Sequence, residues 1–509
     1  MAPAAFAWHS GAARDERRRG LTRTTTVTAI MLAFGLLGSC DRRSDVGPVV
    51  ASVIGDAPVL ADPARRALGR PSQMLMASVA QGLVRLDATG QVEPGIAERW
   101  IVIDDGMSYI FRIGDVTWPD GSAVTARAVV QRLRRELAPG SRNPLRPYLT
   151  AIDEVVEMTP EVIEVRMKTP RPDLLRLLAR PELAIFRLDP PRGTGPMRRS
   201  AQRSAPGLLL EPVPGPVIDA DDPPPPPRPE QTVRLIGERA AKAILRFKAL
   251  RSDMVDGGTF ADWPLVGLAE IAPTAIRFDP AQGLFGLAIV ERSGFLATAE
   301  NRAVLAGALD REAIVALVRA GWPTTDRILP DAIDLATPPN LPGWAIGTLD
   351  ERRAHARSVV AAWESAHDTP LSLRIALPDG PGATLLFGGI AASFAAIGVE
   401  ATRVPMRADA DLRLVDAIAP ADNARWYLAR ACAPCGEQAS TLIDAARTAA
   451  DTPARGAAIA RADAALTADV AFIPFAAPLR WSLVAARLDQ WQPNPRAWHP
   501  LNHLRSDTK

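Results

Sequence analysis

The chain is poor in the residues that most often carry out chemistry. Its 509 residues include 3 Cys, 5 His and 3 Tyr. The His lie at 9, 355, 367, 499 and 503. Only His499 and His503 are neighbours, and Pro500 between them disfavours the helix that would place both on one face. The chain has no G-x-S-x-G, H-E-x-x-H, G-x-x-x-x-G-K-[ST] or G-x-G-x-x-G, so the common hydrolase, zinc-protease and nucleotide-binding signatures are missing. No internal repeat is evident. Charge of one sign is also lacking. The formal net charge is +2, which gives no polybasic surface for nucleic acid or membrane. The one marked apolar run, Val27–Leu37, is 11 residues long, and a bilayer span needs about 20.

Proline, by contrast, is plentiful. Its 47 residues predict many loops and short strands rather than a helical bundle. Hydrophobic residues at 47% and charged residues at 23% are ordinary for a folded protein. The length predicts more than one core, because single cores stop growing near about 250–300 residues. Residues 1–39 carry five Arg (14, 17, 18, 19 and 23) against Asp15 and Glu16. Without them the rest holds 54 basic and 55 acidic residues. A basic start followed by a short apolar run reads as a signal peptide, 1–39. It ends in Leu37-Gly38-Ser39-Cys40, which matches a lipobox. Cys40 is then the expected lipidation site, with 40–47 as a polar tether; the other reading is a plain cleavage site with Cys40 incidental. Arg18-Arg19 hints at a twin-Arg signal, but the following residues fit the general secretory route better.

The most readable stretch is Gln81–Arg135. Gly82–Asp87 alternates as a half-buried strand. Glu93-Pro94-Gly95 opens a short turn ending at Trp100. Asp104-Asp105-Gly106 is an Asp-Gly hairpin signal joining Trp100–Ile103 to Ser108–Ile113. Trp118-Pro119-Asp120-Gly121 is a further turn. Thr125 is placed to cap a helix running to about Leu137. This order resembles the N-terminal lobe of the family 5 bacterial extracellular solute-binding proteins, the peptide- and nickel-binding components of ABC importers. Residues that carry the resemblance are Gly82-Leu83-Val84, the segment Pro94 to Trp100, Asp104 to Phe111, and Trp118 to Gly121. Further matches are Gly193-Thr194-Gly195-Pro196, with Met197 in place of an aromatic, and Asn301–Arg319, through Arg302, Ala308, Leu309, Asp310 and Arg311. The likeness covers about 48–505 and is thinnest at 198–231. There the chain has Arg- and Pro-rich text, including Pro223–Pro227, which reads as an exposed polyproline II loop.

Elsewhere the pattern predicts strands at Ile152–Thr159, Val162–Lys168, Thr232–Ile236, Leu284–Val290, Leu371–Leu377, Val399–Val404, Leu412–Asp416, Val470–Pro474 and Trp481–Val484. Helices are predicted at about Pro71–Gln81, Asp173–Leu178, Ala240–Arg251, Thr384–Ile397 (closed by Gly398) and Ala454–Thr467. Alternating strands and helices predict an α/β chain with a partly parallel sheet. The resemblance implies a two-lobe periplasmic-binding-protein fold (type II, cluster C-like) with a hinge and an extra subdomain in the first lobe. The expected layout is a first lobe at 48–280, with about 75–190 inserted as the subdomain. A second lobe follows at 281–477, and 478–509 return to the first.

What the resemblance implies for function is solute binding between lobes that close on the ligand, and delivery to an ABC permease. The ligand is expected to be peptide-like or similar, although few Tyr warn against an ordinary oligopeptide. No cofactor, metal or chemical step is required, and a monomer in the periplasm, lipid-anchored to the envelope, is expected. Burying a charged ligand terminus requires an opposite charge. Asp416, at a strand end, is the candidate partner for an α-ammonium; a solvated or capping role is the alternative. Arg425, Trp426 and Trp263 are further cleft candidates, with core or rim roles as alternatives. Cys432-Ala433-Pro434-Cys435 reads as a local disulfide, a redox pair, half of a metal site, or two free thiols. Two other functions remain open: a non-transport envelope receptor or scaffold with the same fold, and a thiol-redox envelope enzyme.

Overall fold

The computed structural model describes residues 46–171, 173–188, 191–201, 206–214, 225–331, 333, 335 and 337–505. The expected signal peptide, the Cys40 lipidation site, the tether before Val46, and the start of the proline run lie outside the described residues. From Gly47 onward the chain forms one compact unit.

Val49–Ile54 reads VVASVI, an apolar run that is stable in a sheet only when both faces are covered. It is an inner strand of a seven-stranded sheet and runs parallel to Val233–Glu238 on one side and Met254–Thr259 on the other. Helix Ala240–Lys248 makes the crossover between those two neighbours. Two short strands, Met197–Arg199 and Leu208–Pro212, extend one edge, and Arg480–Val484 and Ile276–Phe278 extend the other.

A second sheet has five strands, ordered Glu400–Pro405, Ser372–Leu377, Leu412–Ile418, Gly283–Ile289 and Phe472–Ala476. Its strand Gly283–Ile289 shows why this lobe has two cores. Side chains alternate across a strand. Phe285, Leu287 and Ile289 therefore enter a core with Leu305, Ile314 and Leu386 of the helices on one face. Leu284 and Ala288 enter another core with Leu428, Ile443 and Leu466 of three helices on the opposite face. Those three helices are Ala424–Ala431, Glu437–Thr448 and Thr452–Asp469. The chain passes between the two large sheets twice, at Asp279–Gln282 and at Ala477–Leu479.

The segment between Val49–Ile54 and Val233–Glu238 carries a third sheet, four antiparallel strands ordered Ala97–Ile103, Ser108–Ile113, Val162–Met167 and Ile152–Thr159. Helix Ala126–Leu137 packs on it through Val129, Val130 and Leu133. The Thr125 hydroxyl accepts from the Ala128 amide at 3.3 Å, as its capping position predicts. The hairpin turn holds Asp104, Asp105 and Gly106 all at positive φ (52°, 53° and 92°), a conformation that Gly and the short Asx side chains tolerate best. Gly193 and Gly195 are needed for close approach. A Cβ on Gly193 would lie 2.4 Å from the Ala80 Cβ, and one on Gly195 would lie 2.4 Å from the Ser78 carbonyl oxygen.

The structure differs from the sequence reading at several elements. The segment expected to turn as far as Trp100 is strand from Ala97 to Ile103. It is an edge strand bonded only to Ser108–Ile113, so Ile101 and Val102 face solvent and its alternation is blurred. Helices Leu349–His367, Ala424–Ala431, Glu437–Thr448 and the short Trp263–Leu268 have no counterpart in the sequence reading. The first of these buries only Ala356 and Val360, too thin an apolar stripe for a helical pattern to stand out.

Candidate ligand cavity

The two large sheets meet along two connections and a set of polar contacts. At the connections, Nη1 of Arg480, on the first sheet, lies 2.8 and 3.1 Å from the two carboxylate oxygens of Asp416, on the second. Burial pushes the Asp416 carboxyl up from its ordinary pKa, and the arginine offsets part of that rise. Asp416 is thus held inside the fold by a neighbour.

Further out, helix Ala424–Ala431 points its first turn at the four-stranded sheet and the helix that follows it. Asp422, just ahead of this helix, is gripped by two arginines from the other side, Arg176 and Arg496. Burial alone would raise its carboxyl, but these two guanidinium groups together outweigh it and hold the carboxyl below the usual range. The Asn423 Nδ2 donates to the Asp173 carboxylate at 2.6 Å. The Thr169 hydroxyl donates to the Arg447 carbonyl at 3.3 Å, and Arg455 Nη1 donates to the Pro170 carbonyl at 3.4 Å. Tyr148 packs against the cores of both sides.

These contacts surround a cavity of about 690 Å³. Asp105, at the hairpin turn, and Thr169–Arg171 line one wall. The other wall comes from Asp422–Arg425 and the facing ends of helices Glu437–Thr448 and Thr452–Asp469. Asp451 caps the second of these helices, accepting from the Ala454 amide at 2.7 Å. That volume is in the range of small-molecule sites.

Four guanidinium groups converge on it: Arg171, Arg425, Arg447 and Arg455. Arg171 and Arg425 are its most buried arginines, 4% and 7% exposed. The buried Arg425 Nε has no hydrogen-bond partner among the described residues, and neither does Nη2 of Arg171. Nη1 of Arg171 reaches Asp173 only at 3.9 Å. Burial, followed by repulsion from Arg171, Arg447 and Arg455, pulls the Arg425 pKa down to about 10, with Asp173 acting the other way. It therefore stays charged at neutral pH.

Of the four residues singled out from sequence, Arg425 alone lines this cavity. Trp426 is 6% exposed, in the second-lobe core, and meets Tyr427 edge-on at 5.0 Å. Trp263 packs between Phe278 and Trp481, at 5.1 and 6.1 Å. Cys432 and Cys435 are joined by a disulfide at the end of helix Ala424–Ala431. His499 and His503 face Asp279 and Glu93 rather than each other, and no group of metal-ligating side chains occurs among the described residues. Arg171, Arg447, Arg455 and Asn423 escaped the sequence reading. Only the folded chain brings them together.

Residues 91–414 match the family model for the middle region of the bacterial extracellular solute-binding proteins, family 5. The chain belongs to that family. Among curated relatives, it is 40% identical over 70 residues to the probable deoxycholate-binding periplasmic protein YgiS of Escherichia coli K12, covering 14% of this chain and 13% of that one. It is 26% identical over 175 residues to the glutathione-binding protein GsiB of E. coli K12, covering 34% and 32%. These matches thus span a third or less of each relative. The E. coli murein tripeptide binding protein MppA has a similar structure, with a TM-score of 0.74 at 17% identity over 91% of this chain and 98% of that one. The family 5 chain therefore has the two-lobe α/β fold of the periplasmic binding proteins.

Proposed function

We propose that this family 5 protein is the solute-binding component of an ABC importer, taking a peptide-like or similar solute into the cavity between its lobes and presenting it to a permease. The observation that carries the reading is the cavity itself, walled on one side by Asp105 and Thr169–Arg171 and on the other by Asp422–Arg425. A solute seated there touches both lobes, so binding and closure are coupled: the solute stabilises the closed form by contacts that the open form cannot make. The connections at Asp279–Gln282 and Ala477–Leu479 are the places for a hinge. Two of the similar proteins are named for glutathione and a murein tripeptide, which supports the peptide-like class, and one is named for deoxycholate, which keeps the class open to other solutes.

No bond is made or broken in this cycle. On this reading the protein works in the periplasm, as the relatives' names suggest, with Cys40 as its lipid anchor and a single chain as the working unit. The test is a thermal-shift screen of the purified chain with peptides, sugars and metal chelates. Stabilisation by a solute class, rising with the logarithm of its concentration above Kd, is the expected result. No stabilisation by any of them would count against solute binding.

A further inference from the structure

We propose that the solute carries an anionic group, carboxylate or phosphate, and that this group seats in the cavity between Arg171 and Arg425. The inference rests on the reading of this cavity as the solute site and goes further, because it names what the site selects. A buried guanidinium is costly unless paired. Arg425 is buried and lines the cavity, and its Nε, itself shut off from solvent, has no partner among the described residues, so the charge of the group is left to be met through the guanidinium face that lines the cavity. Arg171, equally buried on the opposite wall, leaves Nη2 unpartnered.

The acids nearby offset only part of this charge. Asp422 is taken by Arg176 and Arg496. Asp173 accepts from Asn423 through one oxygen, and its other oxygen lies 3.9 Å from Arg171 without a hydrogen bond, so one carboxylate faces two buried guanidinium groups. Asp105 and Asp451 stand on the exposed rim, where they face the solute's outer end. Two further cations, Arg447 and Arg455, are half-buried beside them. Planar guanidinium groups match carboxylate and phosphate oxygens two at a time. One of the buried pair comes from each lobe, so a single anion would bridge the lobes and relieve two buried charges at once. Charge neutralisation is then itself a force for closure.

The test uses the full chain, stripped of co-purified solute by reversible unfolding. Three probes are titrated at constant ionic strength: citrate, glutathione, and the end-blocked peptide acetyl-Ala-Ala-Ala-amide. Wild type is compared with Arg425→Gln and Arg425→Lys. Citrate, glutathione or both should stabilise the wild type. Arg425→Gln should weaken that binding by about tenfold to a hundredfold, the scale of a lost charge-assisted hydrogen bond, and Arg425→Lys should recover part of it. Arg425→Gln should also melt no lower than wild type without probe, because it removes a buried unpaired charge; this separates lost recognition from lost folding. Binding of the blocked peptide alone would overturn the anion and leave the cavity reading standing. Equal anion binding by wild type and Arg425→Gln would overturn the proposed seat. Failure of all three probes would overturn the anion seat, while the solute-binding reading stands or falls on the wider screen of peptides, sugars and metal chelates.

Discussion

Removing the Asp422 carboxylate should loosen the contact between the two lobes seen here without unfolding either lobe. Asp422 comes from the second lobe, and both of its partners, Arg176 and Arg496, come from the other side. Arg496 is the more exposed to loss, because its side chain is only 3% accessible and would keep just the Ala419 carbonyl at 3.0 Å. Removing one partner of a fully buried pair costs about 3–5 kcal/mol, and an exposed pair is worth about 0–1 kcal/mol. Asp422 is 39% accessible, which places Asp422→Asn between these limits, at about 1–2 kcal/mol. That moves the ratio of closed to open forms by about 5- to 30-fold. Small-angle scattering of the solute-free chain should show a larger radius of gyration for the variant, and its solute affinity should fall by a similar factor. The sign of the pH effect follows from the lowered Asp422 pKa. A carboxylate depressed in the closed form stabilises it fully above its ordinary value of 3.8, and that stabilisation is lost as pH falls through the depressed value. Wild type should therefore keep the same dimensions at pH 7 and pH 5 and expand only in stronger acid, whereas Asp422→Asn should already be expanded at pH 7. An unchanged radius and unchanged affinity in the variant would refute the idea that this cluster latches the lobes.

Three other variants test the scaffold. Gly193→Ala places a Cβ against Ala80 and the Val79 carbonyl and should cost about 1–3 kcal/mol in denaturant unfolding, the usual scale for overpacking. Asp416→Asn leaves Arg480 poorly paired. It should lower the melting temperature of the chain while leaving solute affinity within about twofold, because Asp416 lies outside the cavity lining; a loss of affinity with unchanged stability would restore it as a ligand contact. The double variant Cys432→Ser with Cys435→Ser opens a loop of sequence separation 3, for which chain entropy gives about 2 kcal/mol. Its solute binding should persist at temperatures where it remains folded.

Much of the scaffold was legible because local rules and tertiary demands agree there. Thr125 caps the helix that its position predicts. Asp104-Asp105-Gly106 turns between the expected strands, and the apolar run from Leu284 is a doubly covered strand. The helices that were missed have weaker patterns. Ala424–Ala431 buries six of its residues, including Arg425, so its sequence carries no polar face to mark a period. The cavity was least legible. Arg425 was noticed, but Arg171, Arg447 and Arg455 look like ordinary arginines in sequence, and their convergence depends on how segments far apart in the chain close together. In sequence, Asp416 is a strand-end Asp of the kind that suits an ammonium partner. Its tie to Arg480 across the two sheets is a tertiary pairing that no local pattern announces.

The most direct measurement is native mass spectrometry of the chain purified without unfolding, comparing wild type with Arg425→Gln. The wild type should carry a noncovalent small molecule that bears a carboxylate or phosphate, and Arg425→Gln should have lost it while remaining folded. A neutral or purely cationic solute retained equally by both proteins would contradict an anion seated between Arg171 and Arg425.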